Sequence, residues 1–417
     1  MNKKIWYVSK YAMHPKYGIP TRQYFFSKYF SERERAVTLI SSRSAALNLF
    51  PKLGFKNQLN FKDEKLNCVL INGPKIKLGF NLKRIWSWFI FEFRFLLWAL
   101  FFQKEKPDVI IVSSLSLLTF LTGSFLKKYY NCKLICEVRD IWPLTIIEAK
   151  NWGKKNLLIR FLSLVEYTGY KNADAIIGTM PNLKEHVINI NNKFKEKIFH
   201  IPMGYDPKFY DKRNIGQNDP FIEVFDQNIP DGNFIVGYAG TIGVINCTEQ
   251  IIEAAAKLRN EPISFLLLGN GPIKKTLIIK VKKHGLKNVL FLEPVKKEKV
   301  QFFLQKCDLL LHPVGVAKIY KYGLSPNKWI DYMYSSRPIL VSYDGYKSII
   351  NEANCGRFIR ANDPNLLAQT ILEFSKKPKR ELVEIGQNGK KYLEDNLSYN
   401  LLSNRYLNII DNLNKIL

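Results

Sequence analysis

Ser325, Pro326, Asn327, Lys328 and Asp331 stand in an order that could do chemistry. Ser325 is a good N-cap residue and Pro326 suits the first helical position, where its missing N–H is not needed. Asn327 and Lys328 then fall in the first turn of a helix whose apolar positions are Trp329, Ile330 and Met333. Free N–H groups and the positive end of the helix dipole make such a turn an anion site. A lysine is unfavourable there unless an anion accompanies it, so Lys328 points to a bound phosphate. Asp331, about one turn further in, could accept hydrogen bonds from ribose hydroxyls. A capped helix with a solvated lysine and aspartate is the reading these residues also leave open.

A second candidate pair is Arg139 and Asp140, delivered by the strand-like run CKLICEVRDIWP (132–143). Open α/β sheets bind ligands at the carboxyl ends of their strands. There an arginine can clamp an anion, and an aspartate can act as acid, base or hydroxyl ligand. A salt bridge within the loop is the plainer alternative. A third candidate is the loop after the first strand, IWYVS (5–9), which carries Gly18, Thr21 and Arg22 ahead of a helix. It has no GxGxxG, so a dinucleotide fingerprint is not supported.

The elements around these residues alternate. Strand patterns appear at 36–42, 107–114, 132–143 and 172–180, with helical patterns between them. Residues 43–82 contain short apolar pieces without a clear order. A polar, turn-rich stretch at 211–233 reads as a linker. After it, FIVGYAGTIG (234–243) runs a strand into Gly240, Thr241 and Gly243, and SFLLLGNGP (264–272) runs another into a turn containing Gly271. Such small-residue turns let backbone approach a phosphate. Further strands follow at 288–295, 307–313 and 338–345. The expected fold is α/β, with two Rossmann-like domains facing across a cleft. The expected division is 1–210, a linker at 211–233, 234–395, and a C-terminal helical segment at 396–417.

Composition narrows the function. The chain has a formal net charge of +27 and 47% apolar residues. A polyanionic partner follows: nucleic acid, anionic lipid or a phosphorylated substrate. The charge is scattered rather than gathered in one arm, and no nucleic-acid-binding module is recognisable, so no nucleic-acid partner is expected. The six cysteines include no CxxC pair and read as free thiols in a reducing compartment. No signal peptide is evident. The five histidines have no ligand spacing, and neither a metal nor another cofactor is expected. His312 reads as a packed histidine; His14 stays a minor catalytic suspect. Residues 86–102, WSWFIFEFRFLLWALFF, form a core helix or a helix lying in a membrane interface, flanked by Lys83, Arg84, Lys104 and Lys106.

The run GLSPNKWIDYM (323–333) resembles a segment of the family 4 retaining glycosyltransferases of GT-B fold. It is close to the version in one bacterial subgroup, which resembles the N-acetylfucosaminyl transferases of O-antigen and capsule synthesis. Family members carry two glutamates here. Asp331 takes the second one's place, and Gly323 stands where the first would be, so that carboxylate is missing. VRDIWP (138–143) is similar to a motif of the same subgroup, and Pro202-Met203-Gly204-Tyr205-Asp206 to a family domain-end marker.

The resemblance extends from IWYVS to the tail and implies transfer of a sugar from a UDP-linked nucleotide sugar, without a metal. It implies that Lys328, the N–H groups of Asn327 and Lys328, and the 240–243 turn stabilise the leaving pyrophosphate. Arg22 would reach the same phosphates, Asp331 would hold the ribose, and Arg139 and Asp140 would face sugar or acceptor. The implied acceptor is a lipid-pyrophosphate-linked saccharide, met by a cytoplasmic enzyme in peripheral contact with the anionic inner face of the membrane. A UDP-sugar 2-epimerase of the same fold and a basic nucleic-acid-binding protein are the rivals.

Overall fold

The computed structural model describes residues 3–43, 58–74, 82–103, 105–153, 155–211 and 232–415. Most of the expected linker at 211–233, together with Lys104, lies outside the described residues. The chain divides into two units: Met1–Pro202 with Tyr399–Leu417, and Met203–Ser398. The first division falls ahead of the expected boundary at 210, because Met203, Tyr205 and Tyr210 pack into the core of the second unit.

The first unit is built on an eight-stranded sheet. Its strands are β1 (Lys4–Val8), β2 (Ala36–Ser42), β3 (Gln58–Asp63), β4 (Leu66–Ile71), β5 (Val109–Ser113), β6 (Lys133–Val138), β7 (Ala175–Gly178) and β8 (Ile198–His200). Their order is β3-β4-β2-β1-β5-β6-β7-β8. All neighbours are parallel except the β3/β4 hairpin, which the short apolar pieces of 43–82 did not disclose. The central strands read as unbroken Val/Ile/Leu runs because a parallel sheet is covered on both faces.

Right-handed crossovers decide which helix covers which face. The chain moves one way along the sheet from β1 to β2 through helix Arg22–Glu32. It moves the other way from β4 to β5, β5 to β6 and β6 to β7. Helices Leu82–Leu97, Thr119–Tyr130 and Leu157–Asn172 therefore share the opposite face. The C-terminal helix Tyr399–Asp411 packs on Arg22–Glu32: the rings of Phe25 and Tyr399 stack at 4.7 Å, and Phe26 and Phe30 meet Tyr406 edge-on. The expected C-terminal segment at 396–417 is helical over Tyr399–Asp411, and a separate helix, Lys379–Asn396, precedes it, with Leu397 and Ser398 between the two.

The second unit has a six-stranded parallel sheet: β9 (Phe234–Ala239), β10 (Ile263–Leu268), β11 (Val289–Leu292), β12 (Leu309–Pro313), β13 (Ile339–Ser342) and β14 (Gly356–Ile359). The order is β11-β10-β9-β12-β13-β14. Strand order reverses between β9 and β12. This is the switch point at which a doubly wound sheet opens a crevice outside its strand ends.

Candidate active site

A cavity of about 510 Å³ lies at that switch point, entirely within the second unit. Its floor is the carboxyl end of three strands: Ala239 of β9, Leu268 of β10, and Pro294 just beyond β11. Gly240, Thr241, Gly269 and Asn270 form its rim, and Lys328, Asp331 and Tyr332 enter from helix Asn327–Tyr334.

The two small-residue turns interlock. Ile242 N–H donates to Asn270 O at 3.0 Å, and Gly240 N–H to Leu268 O at 3.0 Å. A Cβ on Gly271 would come 2.0 Å from Ile242 O, and one on Gly269 the same distance from Gly240 O. Two backbones this close admit only glycine. Gly271, expected at the ligand, is thus a packing residue that sets the turn; neither it nor Gly243 lines the cavity. Beneath the turns, the buried Lys274 ammonium donates to Gly269 O, Leu292 O and the Glu293 carboxylate, tying β10 to β11.

Lys328 is the unsatisfied cation bordering this cavity. Its Nζ is buried and has no hydrogen-bond partner. It lies 4.0 Å from the centroid of the Tyr238 ring and beside Gly240, where an added Cβ would be 3.1 Å from Nζ. Burial pushes its pKa down to about 7. An unpartnered ammonium in such a place costs free energy until an anion meets it. The ring face opposite is held by Tyr238 OH, which donates to Thr241 O at 2.7 Å.

The helix start differs from expectation. Pro326 is the N-cap, with no side-chain cap bond, and the helix begins at Asn327. The Ser325 hydroxyl instead accepts from Met203 N–H at 3.3 Å. The first-turn N–H groups are thus left without a capping side chain. Asp331 is also differently occupied. Tyr210 OH donates to its Oδ1 at 2.6 Å, and Lys297 binds its Oδ2. It borders the cavity but is held by protein rather than left open for a ribose. His312 accepts from Trp329 Nε1 at 2.9 Å through Nδ1, and burial with Lys328 nearby holds its pKa well below the ordinary value. It is a packed, neutral histidine.

The candidates of the first unit are differently placed. Arg22 is fully buried: Nε donates to Glu137 Oε1 at 2.8 Å, and its terminal nitrogens donate to the carbonyls of Ile201 and Pro202. It is a core residue, not a phosphate ligand. Burial opposes ionisation of Glu137, but Arg22 and the Ser113 hydroxyl outweigh it and keep the carboxyl below its usual range. Thr21 Oγ1 accepts from Met13 N–H, and Gly18 ends the short turn Pro15–Tyr17; both hold the loop together. Asp140 caps its own turn, accepting from Trp142 Nε1 at 2.9 Å and Thr145 Oγ1 at 2.5 Å, so each of its oxygens already holds a bond within the protein. Arg139 Nε is buried without a partner at the end of β6, leaving it the stronger anion candidate of that pair. His14 is committed as well, its Nε2 lying 3.0 Å from Asp63.

The comparisons with known proteins fit this geometry. Residues 221–392 match the family model described as "Glycosyl transferases group 1". The second unit is a group 1 glycosyltransferase domain. The chain is similar to the probable glycosyltransferase WbjE of Pseudomonas aeruginosa, 25% identical over 342 residues, which are 77% of each chain. It is similar to the putative colanic acid biosynthesis glycosyl transferase WcaI of Escherichia coli (strain K12), 33% identical over 219 residues, 52% of this chain and 53% of that one. Among solved structures, the Anabaena protein HepE in complex with UDP and glucose superposes with a TM-score of 0.66 at 13% identity, covering 98% of this chain and 99% of that one. The fold is GT-B, and the chain is a glycosyltransferase.

Residues that sequence reasoning missed also border the cavity: Asn246, Pro294, Val295 and Lys297. Pro294 and Lys297 stand just past a strand, so the strand-end rule applied to NVLFLEPV could have found them. Tyr238 carried no signal, since its role depends on which face of β9 meets the Lys328 side chain.

Proposed function

We propose that this glycosyltransferase moves a sugar, an N-acetylated amino sugar by its subgroup resemblance, from a UDP-linked donor with retention at the anomeric carbon. The acceptor is a lipid-pyrophosphate-linked saccharide of a bacterial surface polysaccharide, and the enzyme works on the cytoplasmic face of the membrane in peripheral contact with it. The observation that carries the donor assignment is Lys328, an ammonium buried without a partner in a cavity at the sheet's switch point. A diphosphate there would meet Lys328 and the uncapped N–H groups of Asn327 and Lys328. When the bond from the anomeric carbon to the phosphate oxygen breaks, negative charge gathers on the departing UDP. Fixed positive groups stabilise that charge more than the ground state. For Asp331 to hold the ribose, Lys297 or Tyr210 must give up its bond to that carboxylate. WcaI is described as a putative colanic acid biosynthesis glycosyl transferase, and HepE was solved with UDP and glucose; both support the reading.

Titration of UDP by calorimetry, with EDTA present, tests it. Saturable binding, weakened about 10- to 100-fold by Lys328→Ala, is expected. Absence of UDP binding by the unaltered chain, or binding indifferent to Lys328→Ala, would overturn the assignment.

A further inference from the structure

Helix Leu82–Leu97 is apolar on both faces, with Trp88, Phe91 and Phe95 buried in the core. Its one carboxylate, Glu92, faces the interior and accepts from Ser116, Thr119 and Thr122 hydroxyls at 3.1, 2.6 and 2.8 Å. Ser87, on the same inner side, is met by the buried Lys10 ammonium at 2.6 Å. Trp86, Phe89 and Phe93, spaced to share one face, point to solvent. A water-facing helix ordinarily carries polar residues on its outer face.

The neighbouring helices continue this surface. Thr119–Tyr130 touches Leu82–Leu97 on one side and packs against Leu157–Asn172 on the other, where a Cβ on Gly169 would lie 2.6 Å from Phe120. Phe125 and Tyr129 of the middle helix, and Leu157, Phe161 and Leu164 of the third, are also exposed. These eight side chains are between 40% and 80% accessible. The charge is one-sided. The three helices hold two carboxylates, Glu92 and Glu166, both buried, Glu166 being taken by Tyr170 and His186. Lys83, Lys128, Arg160 and Lys171 are exposed on the same helices.

We infer that the three helices together form one docking face for an anionic lipid surface, resting on the reading above that the enzyme works at a membrane. Apolar side chains among cations, with no exposed carboxylate, match a bilayer of anionic headgroups: rings and leucines enter the acyl boundary while the cations meet phosphates. The segment Lys83–Phe102 has the length and hydropathy of a membrane span. The hold on Glu92 keeps it lying on the bilayer rather than crossing it.

The test is co-sedimentation of the full chain with vesicles containing phosphatidylglycerol, against vesicles of phosphatidylcholine alone. The variants are Trp86→Ser with Phe93→Ser, Phe125→Ser with Tyr129→Ser, and Leu157→Ser with Leu164→Ser. UDP binding and gel filtration are measured on each. Binding to anionic vesicles is expected, reduced tenfold or more by each pair, and by about fivefold for each of Lys128→Gln and Arg160→Gln. Loss confined to the Trp86/Phe93 pair would overturn the shared face while leaving membrane contact in place. Equal affinity for neutral vesicles would overturn the charge assignment. A dimer that any pair converts to a monomer, without vesicle binding, would make the face a self-interface instead. UDP binding retained while vesicle binding is absent would overturn this inference and leave the donor assignment untouched.

Discussion

The Lys328 ammonium sits 4.0 Å from the centre of the Tyr238 ring, and that ring is the one group offering it compensation among the contacts described. A cation over an aromatic face gains about 0.5–2 kcal/mol. That is less than the cost of burying an ammonium without a hydrogen bond. The pair is therefore a destabilised arrangement unless an anion meets the ammonium.

Replacing Lys328 by Met should stabilise the ligand-free protein by about 1–3 kcal/mol while removing UDP binding. The sign follows from linkage. The folded pKa, about 7, lies below the ordinary value near 10.5. The folded state thus binds fewer protons across that window, and stability of the unaltered protein rises with pH through it. The gain from Lys328→Met should be largest below pH 7 and vanish by about pH 10. Thermal melts of both proteins across that range check it; an unchanged or lowered melting temperature at pH 7 would contradict the account.

Nucleotide binding should take up protons. A diphosphate beside Lys328 restores its pKa toward the ordinary value, so above pH 7 the complex holds a proton that the free protein has partly lost. UDP affinity should fall by up to about tenfold per pH unit above 7, where the nucleotide's own phosphate, with a pKa near 6, is already ionised. Calorimetry at pH 8 in buffers of differing ionisation enthalpy should show an uptake approaching one proton. The uptake should disappear in Lys328→Gln.

The interlocked turns separate two kinds of glycine. Gly271→Ala drives a methyl into Ile242 O, and Gly269→Ala drives one into Gly240 O from a backbone at φ +146°. Each should destabilise the second unit by about 2 kcal/mol or more and weaken UDP binding with it. Gly240→Ala shares the strained φ of +146°, but its methyl meets the end of the flexible Lys328 side chain at 3.1 Å and the Tyr238 hydroxyl at 3.4 Å rather than backbone. It should lower the melting temperature less than Gly269→Ala does, and weaken UDP binding as well. Paired melts and titrations of the three variants give the comparison.

Glu137 should matter to folding, not to the donor. It accepts from Tyr7, Arg22 and Ser113 in a fully buried cluster. Glu137→Ala strands the Arg22 guanidinium and should cost about 3–5 kcal/mol. Denaturant unfolding measures the loss. Where the variant remains folded, UDP affinity should be within about twofold of the unaltered chain.

Much of the architecture was written in local pattern. Apolar runs of β-branched and leucine residues, each ending in a Gly-, Ser- or Pro-containing turn, gave the parallel strands, since period and punctuation are properties of neighbouring residues. The first-turn position of Lys328 likewise pointed to a candidate anion site, because helix ends have the same unsatisfied N–H groups wherever they occur. The partners of Arg22, Asp140 and Asp331 were not legible. Arg22 and Glu137 are far apart in sequence, as are Tyr210 and Asp331, and only the closed fold brings them together. A charged side chain advertises the ability to bind an ion, while burial and the nearest complementary group determine whether that ability is already spent inside the protein.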